Sequence, residues 1–362
     1  MTEVSQPAHP RLNNIDIAKG IGIILVVMGH NDFSLVSPLA FKLIYSFHMP
    51  LFFFLSGIFF RPSMPFLELV RRRYNSVLKP FFFILLLIFF GGLSFTNVGL
   101  LTALSRLGKA MYGSGKYLDW VQLWFLPHLF AVSLYVFLFT WLTGKLRWTW
   151  LKALLLLLTL AVGVMNISRF WDWQLKFGPW DFTLYGLPYS LDLVLISGFF
   201  FILGYEVFQR VPQGFFKSPL TLLVSAAGLL GMVLVFPDVI DFNIRIYDSL
   251  LINTVEALLG ITMVLALAWQ IDRLGWLSRV FSYVGRNTLP ILLFQVPIQE
   301  FWGMHINALS NNMNLSYWLS AVAGVVGPLA INRIFIQPNP LVRHWLGMKD
   351  EAAQVRRDEV QG

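Results

Sequence analysis

Two histidines stand in apolar sequence where an ionisable side chain needs a reason. His30 closes the run IGIILVVMGH, and His48 interrupts YSFHMPLFFFLSGIFF two positions before Pro50. At mid-depth in lipid such a group costs several kcal/mol, and a neutral imidazole is the usual base for activating a hydroxyl. Lys19 stands eleven residues before His30 and three after Asp16, so Lys19 and Asp16 can pair across one helical turn. The run RRRYNSVLKP at 71–80 adds Arg71, Arg72 and Arg73. Cations of this kind can hold the phosphates of a nucleotide-like cosubstrate. Each feature also has a plainer reading. Lys19 and the arginine run serve equally as anchors at a membrane face, and a histidine near a helix end can be satisfied by backbone. A carboxylate could orient an imidazole: Asp192, in LPYSLDLVL, has suitable depth. Asp32 and Glu256 are weaker, since Asp32 is two residues from His30 and points elsewhere on a helix.

The elements that would position these groups follow from composition. Of 362 residues, 57% are hydrophobic and 13% charged, with a mean hydropathy of +0.66. Soluble domains carry about twice that charged share, so the chain cannot cover a water-facing surface. Apolar stretches of near-spanning length recur throughout, predicting an all-α polytopic membrane protein with about ten transmembrane helices. The expected spans are roughly 14–32, 40–60, 78–98, 120–142, 149–168, 188–208, 217–236, 249–270, 287–304 and 317–336. An even number puts both termini on one side. If that side is cytoplasmic, the inner segments hold Arg11, Arg61, Arg71, Arg72, Arg73, Lys145, Arg147, Arg210, Lys217, Arg273, Arg279, Arg286 and the basic residues after 340. The outer segments hold only Lys42, Arg106, Lys109, Lys116, Arg169, Lys176 and Arg245, an asymmetry that orients the chain. His30 then lies roughly 16 Å outward of Lys19, and His48, on the returning helix, sits at matching depth. Pro50 frees backbone carbonyls that only a protein-lined or wet site can satisfy.

The expected organisation is a cytoplasmic segment 1–13, a transmembrane domain 14–336 and a cytoplasmic tail 337–362. The outer connections 99–119 and 169–187 either line a mouth or rest on the interface; 237–248, PDVIDFNIRIYD, is acidic. The chain has no cysteine, hence no disulfide framework and no thiolate nucleophile. It shows no Walker loop, metal-ligand cluster or nucleophile elbow, and GIGII serves helix packing. The net charge of +8 reflects basic inner loops rather than nucleic acid.

Several of these segments together resemble the integral-membrane acyltransferase family 3. RLNNIDIAKGIGIILVVMGHND looks like its first helix, with Lys19 where many members have arginine, and His30. SFHMPLFFFLSGIFF resembles the second-helix motif through His48, Pro50, Phe52, Phe53, Ser56 and Gly57. RRRYNSVLKPFFF, LWFLPHLF with Trp124, Phe125 and Leu126, and GFFFILGYEVF around Gly204 resemble later ones. Lysine at position 19 is similar to the branch of fucose 4-O-acetylases and exopolysaccharide O-acetyltransferases. One segment departs: GRNTLPILLFQVPI carries Gln295 where members often have histidine.

The resemblance implies a bacterial inner-membrane O-acetyltransferase. Cytoplasmic acetyl-CoA would be the acyl donor and no metal would be required. The acceptor would be a carbohydrate, lipid-linked or polymeric, of the exopolysaccharide kind. His30 would act as base or as transient acyl carrier, with His48 and Asp192 assisting. Lys19 and Arg71–Arg73 would bind donor phosphates, and Trp124 would shape a tunnel or stack on a sugar. The competing readings are a multi-pass transporter of lipid-linked sugars or anionic solutes, and a non-catalytic assembly subunit.

Overall fold

The computed structural model describes residues 12–30, 33–95, 99–146, 149–177 and 180–350; Arg11, Asp32, Arg147 and the segments 1–11 and 351–362 lie outside the described residues. The chain is helical almost throughout. Its uncharged runs of Leu, Ile and Phe can satisfy their backbone groups in lipid only through internal i to i−4 hydrogen bonds. The helices are α1 (Asn13–Gly29), α2 (Pro38–Tyr45), α3 (His48–Ile58), α4 (Phe66–Arg73), α5 (Lys79–Phe95), α6 (Leu100–Met111), α7 (Phe125–Thr143) and α8 (Thr149–Met165). They continue with α9 (Val194–Arg210), α10 (Pro219–Val235), α11 (Leu250–Asp272), α12 (Gly275–Arg286), α13 (Thr288–Ser310) and α14 (Met313–Ile331). Among the described residues, six helical stretches are long and apolar enough to cross a membrane: Pro38–Ile58, Phe66–Ser94, Val121–Thr143, Pro188–Arg210, Leu250–Asp272 and Met313–Ile336. Thr149–Met165 and Pro219–Val235 are shorter apolar helices.

The surface is that of a multi-pass membrane protein. Leu101, Met165 and Leu309 are each more than 80% exposed, and Leu157, Leu158, Leu223, Leu234 and Val326 also face outward. A soluble monomer rarely exposes so much contiguous apolar area. Polar side chains are turned inward instead: His48, Gln122, His128, Ser197, Asn253, Glu256, Gln295 and Gln299 are all buried.

Three departures from the expected spans bear on the site. The second span is broken. Helix α2 ends at Tyr45, Phe47 leaves the helical region with φ −148°, and α3 begins at His48. Pro50 lies in the first turn of α3, where its missing N–H leaves no broken ladder behind it. The third span starts earlier than residue 78. The arginine run is helical from Phe66 and passes through a π-helical turn, Tyr74–Leu78, directly into α5. The connections expected to be outer are also structured. One contains α6; the other pairs β1 (Trp171–Phe177) with β2 (Trp180–Tyr185) as an antiparallel hairpin, from Trp173 opposite Leu184 to Phe177 opposite Trp180. A second small hairpin, β3 (Ile240–Asp241) and β4 (Ile246–Tyr247), occupies the acidic connection.

Close helix crossings hold the interior together. A Cβ on Gly57 of α3 would collide with the Phe201 carbonyl of α9, and a Cβ on Gly204 of α9 would collide with the Phe54 carbonyl of α3. Each glycine therefore accepts the other helix's backbone. Gly20 and Gly285 do the same between α1 and α12, as the GIGII pattern predicts. Near the end of the described chain, Trp345 stacks on Phe83 of α5 with ring centroids 6.2 Å apart. Gly347, at φ +62°, lies against the Asn75 carbonyl of the π-helical turn, where no side chain would fit.

Candidate active site

Two cavities meet inside the helix bundle. The first, of about 310 Å³, is lined by Lys19, Phe59, Arg73, Ser76, Gln122 and Phe125 among others. The second, of about 630 Å³, is lined by Tyr45, His48, Asp241, Asn243, Gln299 and Tyr317 among others. His30, Met49 and Trp124 line both. One cavity is thus basic and otherwise largely apolar; the other is polar, and His30 stands at their junction.

Backbone breaks put both imidazoles where they are. His30 is the C-cap of α1, and its Nδ1 donates to the Val26 carbonyl at 2.8 Å. His48 opens α3, and its Nδ1 donates across the helix break to the Ile44 carbonyl at 2.9 Å. A carbonyl only accepts, so each Nδ1 carries the proton and each neutral ring keeps its lone pair on Nε2. The end of α1 is itself held. Tyr45 donates to the Gly29 carbonyl at 3.2 Å and Tyr317 to the Met28 carbonyl at 3.3 Å, satisfying two carbonyls left over at the helix terminus.

The basic cavity draws on part of the expected cation group. Lys19 pairs with Asp16 at 3.5 Å, as their spacing suggests, and its Nζ lies 4.6 Å from the centre of the Phe59 ring. Arg73 lines the cavity, with its guanidinium 5.8 Å from the Phe201 ring centre. Arg71 and Arg72 do not line it: both are exposed, and Arg72 pairs with Glu68 one turn earlier on α4.

Asp192 is not beside the histidines at the junction. Its carboxylate takes a two-pronged ion pair from Arg245, Nε to Oδ2 at 2.7 Å and a terminal nitrogen to Oδ1 at 3.1 Å, and Oδ1 also accepts the Leu187 N–H at 2.8 Å. Both side chains are essentially fully buried. Arg245 further donates to Ser190 Oγ and to the carbonyls of Phe242 and Asn243. The pair therefore ties the β3–β4 hairpin to the 3₁₀ segment Pro188–Leu193 that leads into α9. His128, within the LWFLPHLF motif, has both nitrogens engaged: Nδ1 donates to the Tyr189 carbonyl at 3.2 Å, and Nε2 accepts from Ser197 Oγ at 2.8 Å. Its ring lies 5.4 Å from that of Trp124. Gln295 is fully buried, and neither of its amide atoms has a hydrogen-bond partner. Glu256 is buried on α11 and lines neither cavity.

The polar cavity also contains residues that the motifs do not single out. Asp241 is the chief one. Its Oδ1 accepts the backbone N–H of Asn243 at 2.9 Å and of Ile244 at 3.4 Å, closing an Asx turn. Burial pushes its carboxyl above the usual carboxylate range, while those N–H groups and the nearby His30 oppose the shift. The signal in the sequence is D-F-N within PDVIDFNIRIYD, an aspartate two residues before an asparagine in a short loop. Residues 99–119 and 169–187 contribute no lining to this cavity among the described residues. They pack on one another instead, Tyr112 donating to the Gly186 carbonyl at 2.7 Å and Ser114 to the Tyr185 carbonyl at 2.5 Å. Among the described residues no group of three His, Cys, Asp or Glu is arranged to hold a metal ion.

Fold and site together define a multi-pass membrane protein with a polar interior, in which a cation-lined cavity and a histidine-bearing cavity share a wall. The family model described as an acyltransferase domain matches residues 12–333, and the chain belongs to that family, acyltransferase family 3. It is a membrane acyltransferase. No curated protein and no solved structure matches the chain.

Proposed function

We infer that the protein is a membrane O-acetyltransferase. It takes an acetyl group from cytoplasmic acetyl-CoA and delivers it to a sugar hydroxyl of an exopolysaccharide or its lipid-linked repeat unit, at the outer side of a bacterial inner membrane. The observation that carries this reading is the meeting of the two cavities at His30. On this reading the chain crosses the membrane ten times with both termini inside, so the basic cavity opens toward the cytoplasm. Lys19 and Arg73 hold the donor's phosphates, and the thioester reaches the junction. The acceptor hydroxyl enters the polar cavity and gives its proton to Nε2 of His30 as its oxygen attacks the thioester carbon. The new C–O bond forms, the C–S bond breaks, and the proton passes to the departing sulfur. His48 supports this from the same cavity wall. General-base help of this kind contributes typically 10²–10⁴-fold.

The test is alkali-labile acetate on the surface glycan of a strain lacking the gene, complemented with wild type or with His30→Ala at matched membrane levels. Wild type restoring ester acetate, with the variant at least 100-fold lower, is the expected result. Equal restoration by both would remove His30 from the chemistry.

A further inference from the structure

Beyond the stacking expected of Trp124, neither the motifs nor the family match assigns a residue to hold the second substrate's hydroxyls. The polar cavity does so through the hydrogen-bonding capacity its wall leaves unused. His30 and His48 commit Nδ1 to backbone carbonyls and leave Nε2 uncommitted. Asp241 commits Oδ1 to two backbone N–H groups, and Oδ2 has no hydrogen bond within the described residues. Gln299 leaves both its amide oxygen and its amide nitrogen without a partner, so the uncommitted atoms are two imidazole lone pairs, a carboxylate oxygen and one amide acceptor and donor, with acceptors in the majority.

A wall in which acceptors outnumber donors and a carboxylate is present calls for a ligand rich in hydroxyl donors and disfavours an anion. One isolated hydroxyl would satisfy one such atom and leave the rest unpaired. Adjacent hydroxyls on a neutral ring satisfy several at once. The position of Asp241 is also built rather than incidental. Ile240 and Phe242 on either side are fully buried, and the Arg245–Asp192 pair clamps the hairpin that carries them. Gly115 has no side chain where Asn243 Oδ1 packs, so the turn next to Asp241 is backed from a second loop.

We propose that Asp241 binds the acceptor: its Oδ2 takes a hydrogen bond from the hydroxyl neighbouring the one that yields its proton to His30, so that the protein acylates neutral sugars bearing vicinal diols. This rests on the acyl-transfer reading above and adds to it a residue and a substrate requirement.

The experiment uses the full-length protein in lipid nanodiscs with acetyl-CoA. Released CoA is read with a thiol reagent, free of background because the chain has no cysteine. Asp241→Asn is nearly isosteric and keeps an oxygen for the turn amides, while Asp241→Glu keeps the charge. A lost hydrogen bond to a charged group predicts that Asp241→Asn restores roughly 10- to 100-fold less glycan ester acetate than wild type. The same variant loses the acceleration of CoA release by trans-1,2-cyclohexanediol, while its KM for acetyl-CoA stays near that of wild type. Asp241→Glu recovers part of the glycan acetate. Asp241→Asn with undiminished glycan acetate overturns the inference, as does a rise in its KM for acetyl-CoA to match the loss, which would place Asp241 in the fold or the donor site. A measurement on wild type alone is independent of variant folding: trans-1,2-cyclohexanediol accelerates CoA release and cyclohexanol does not. Equal acceleration by both overturns the vicinal requirement. Wild type that releases no CoA and restores no ester acetate overturns the acetyl-transfer reading itself.

Discussion

Asp192→Ala tests whether the carboxylate expected beside the histidines is instead a clamp. The substitution leaves the Arg245 guanidinium buried without its counter-charge, in a site where both side chains are at most 1% exposed. Removing one member of a buried ion pair costs about 3–5 kcal/mol. Ser190 Oγ and the carbonyls of Phe242 and Asn243 remain to accept from Arg245, so the lower end applies, about 3 kcal/mol. That is roughly a 100-fold loss in the folded-to-unfolded ratio. The assay is the temperature at which detergent-solubilised protein loses its monodisperse elution peak, followed in parallel with glycan acetylation. Asp192→Ala should unfold many degrees below wild type and lose acetylation with it. Asp192→Leu combined with Arg245→Met removes both charges and should recover most of the stability, because an apolar pair in place of a buried ion pair is often neutral. Wild-type thermal stability in Asp192→Ala, with acetylation abolished, would refute the clamp and return Asp192 to the chemistry.

The other predictions concern packing, donor binding and pH. Gly57→Ala or Gly204→Ala drives a methyl group into a backbone carbonyl and should sharply lower folded protein, whereas Gly91→Ala, which meets nothing within 4 Å, should not; membrane yield of monodisperse protein is the check. Arg73→Ala should raise the KM for acetyl-CoA about tenfold or more by loss of a charge-assisted contact, while exposed Arg71→Ala leaves it near wild type. Because burial raises the Asp241 carboxyl, sugar transfer should be full above its pKa. It should fail, as pH falls through that pKa, at a higher pH than an exposed carboxylate would give; Asp241→Asn should be low and flat over that limb. The same raised value means that ionising Asp241 weakens the fold as pH rises, so Asp241→Asn should be at least as thermostable as wild type in alkaline buffer.

The sequence made the helical architecture readable because lipid leaves the backbone few options. Within the described residues the expected spans fall on helical stretches, six of them long and apolar enough to cross a membrane, and Lys19, His30, His48 and Trp124 all line the joined cavities. What escaped reading depends on contacts distant in the chain. Asp192 has suitable depth but finds Arg245, 53 residues away, and nothing local announces that pair. Arg71, Arg72 and Arg73 are equivalent in composition, yet helical geometry turns only Arg73 into the cavity. Asp241 reads in the sequence as one acidic residue of an acidic loop; only the folded hairpin brings it into one cavity wall with His30 and His48. The break at Ser46–Phe47 was likewise hidden, since Pro50 marks a disturbance without locating it.

The contact of Gly347 with Asn75 has a consequence for biosynthesis. Arg73 and Ser76 line the basic cavity, and the backbone between and around them is braced by residues made some 270 positions later. Synthesis proceeds from the N-terminus, so the first helices enter the membrane long before that brace exists. The basic cavity therefore takes its final shape only as the last described residues dock. A ribosome-bound chain halted before residue 340 should carry both histidines and all three arginines of the run and still lack a finished entrance.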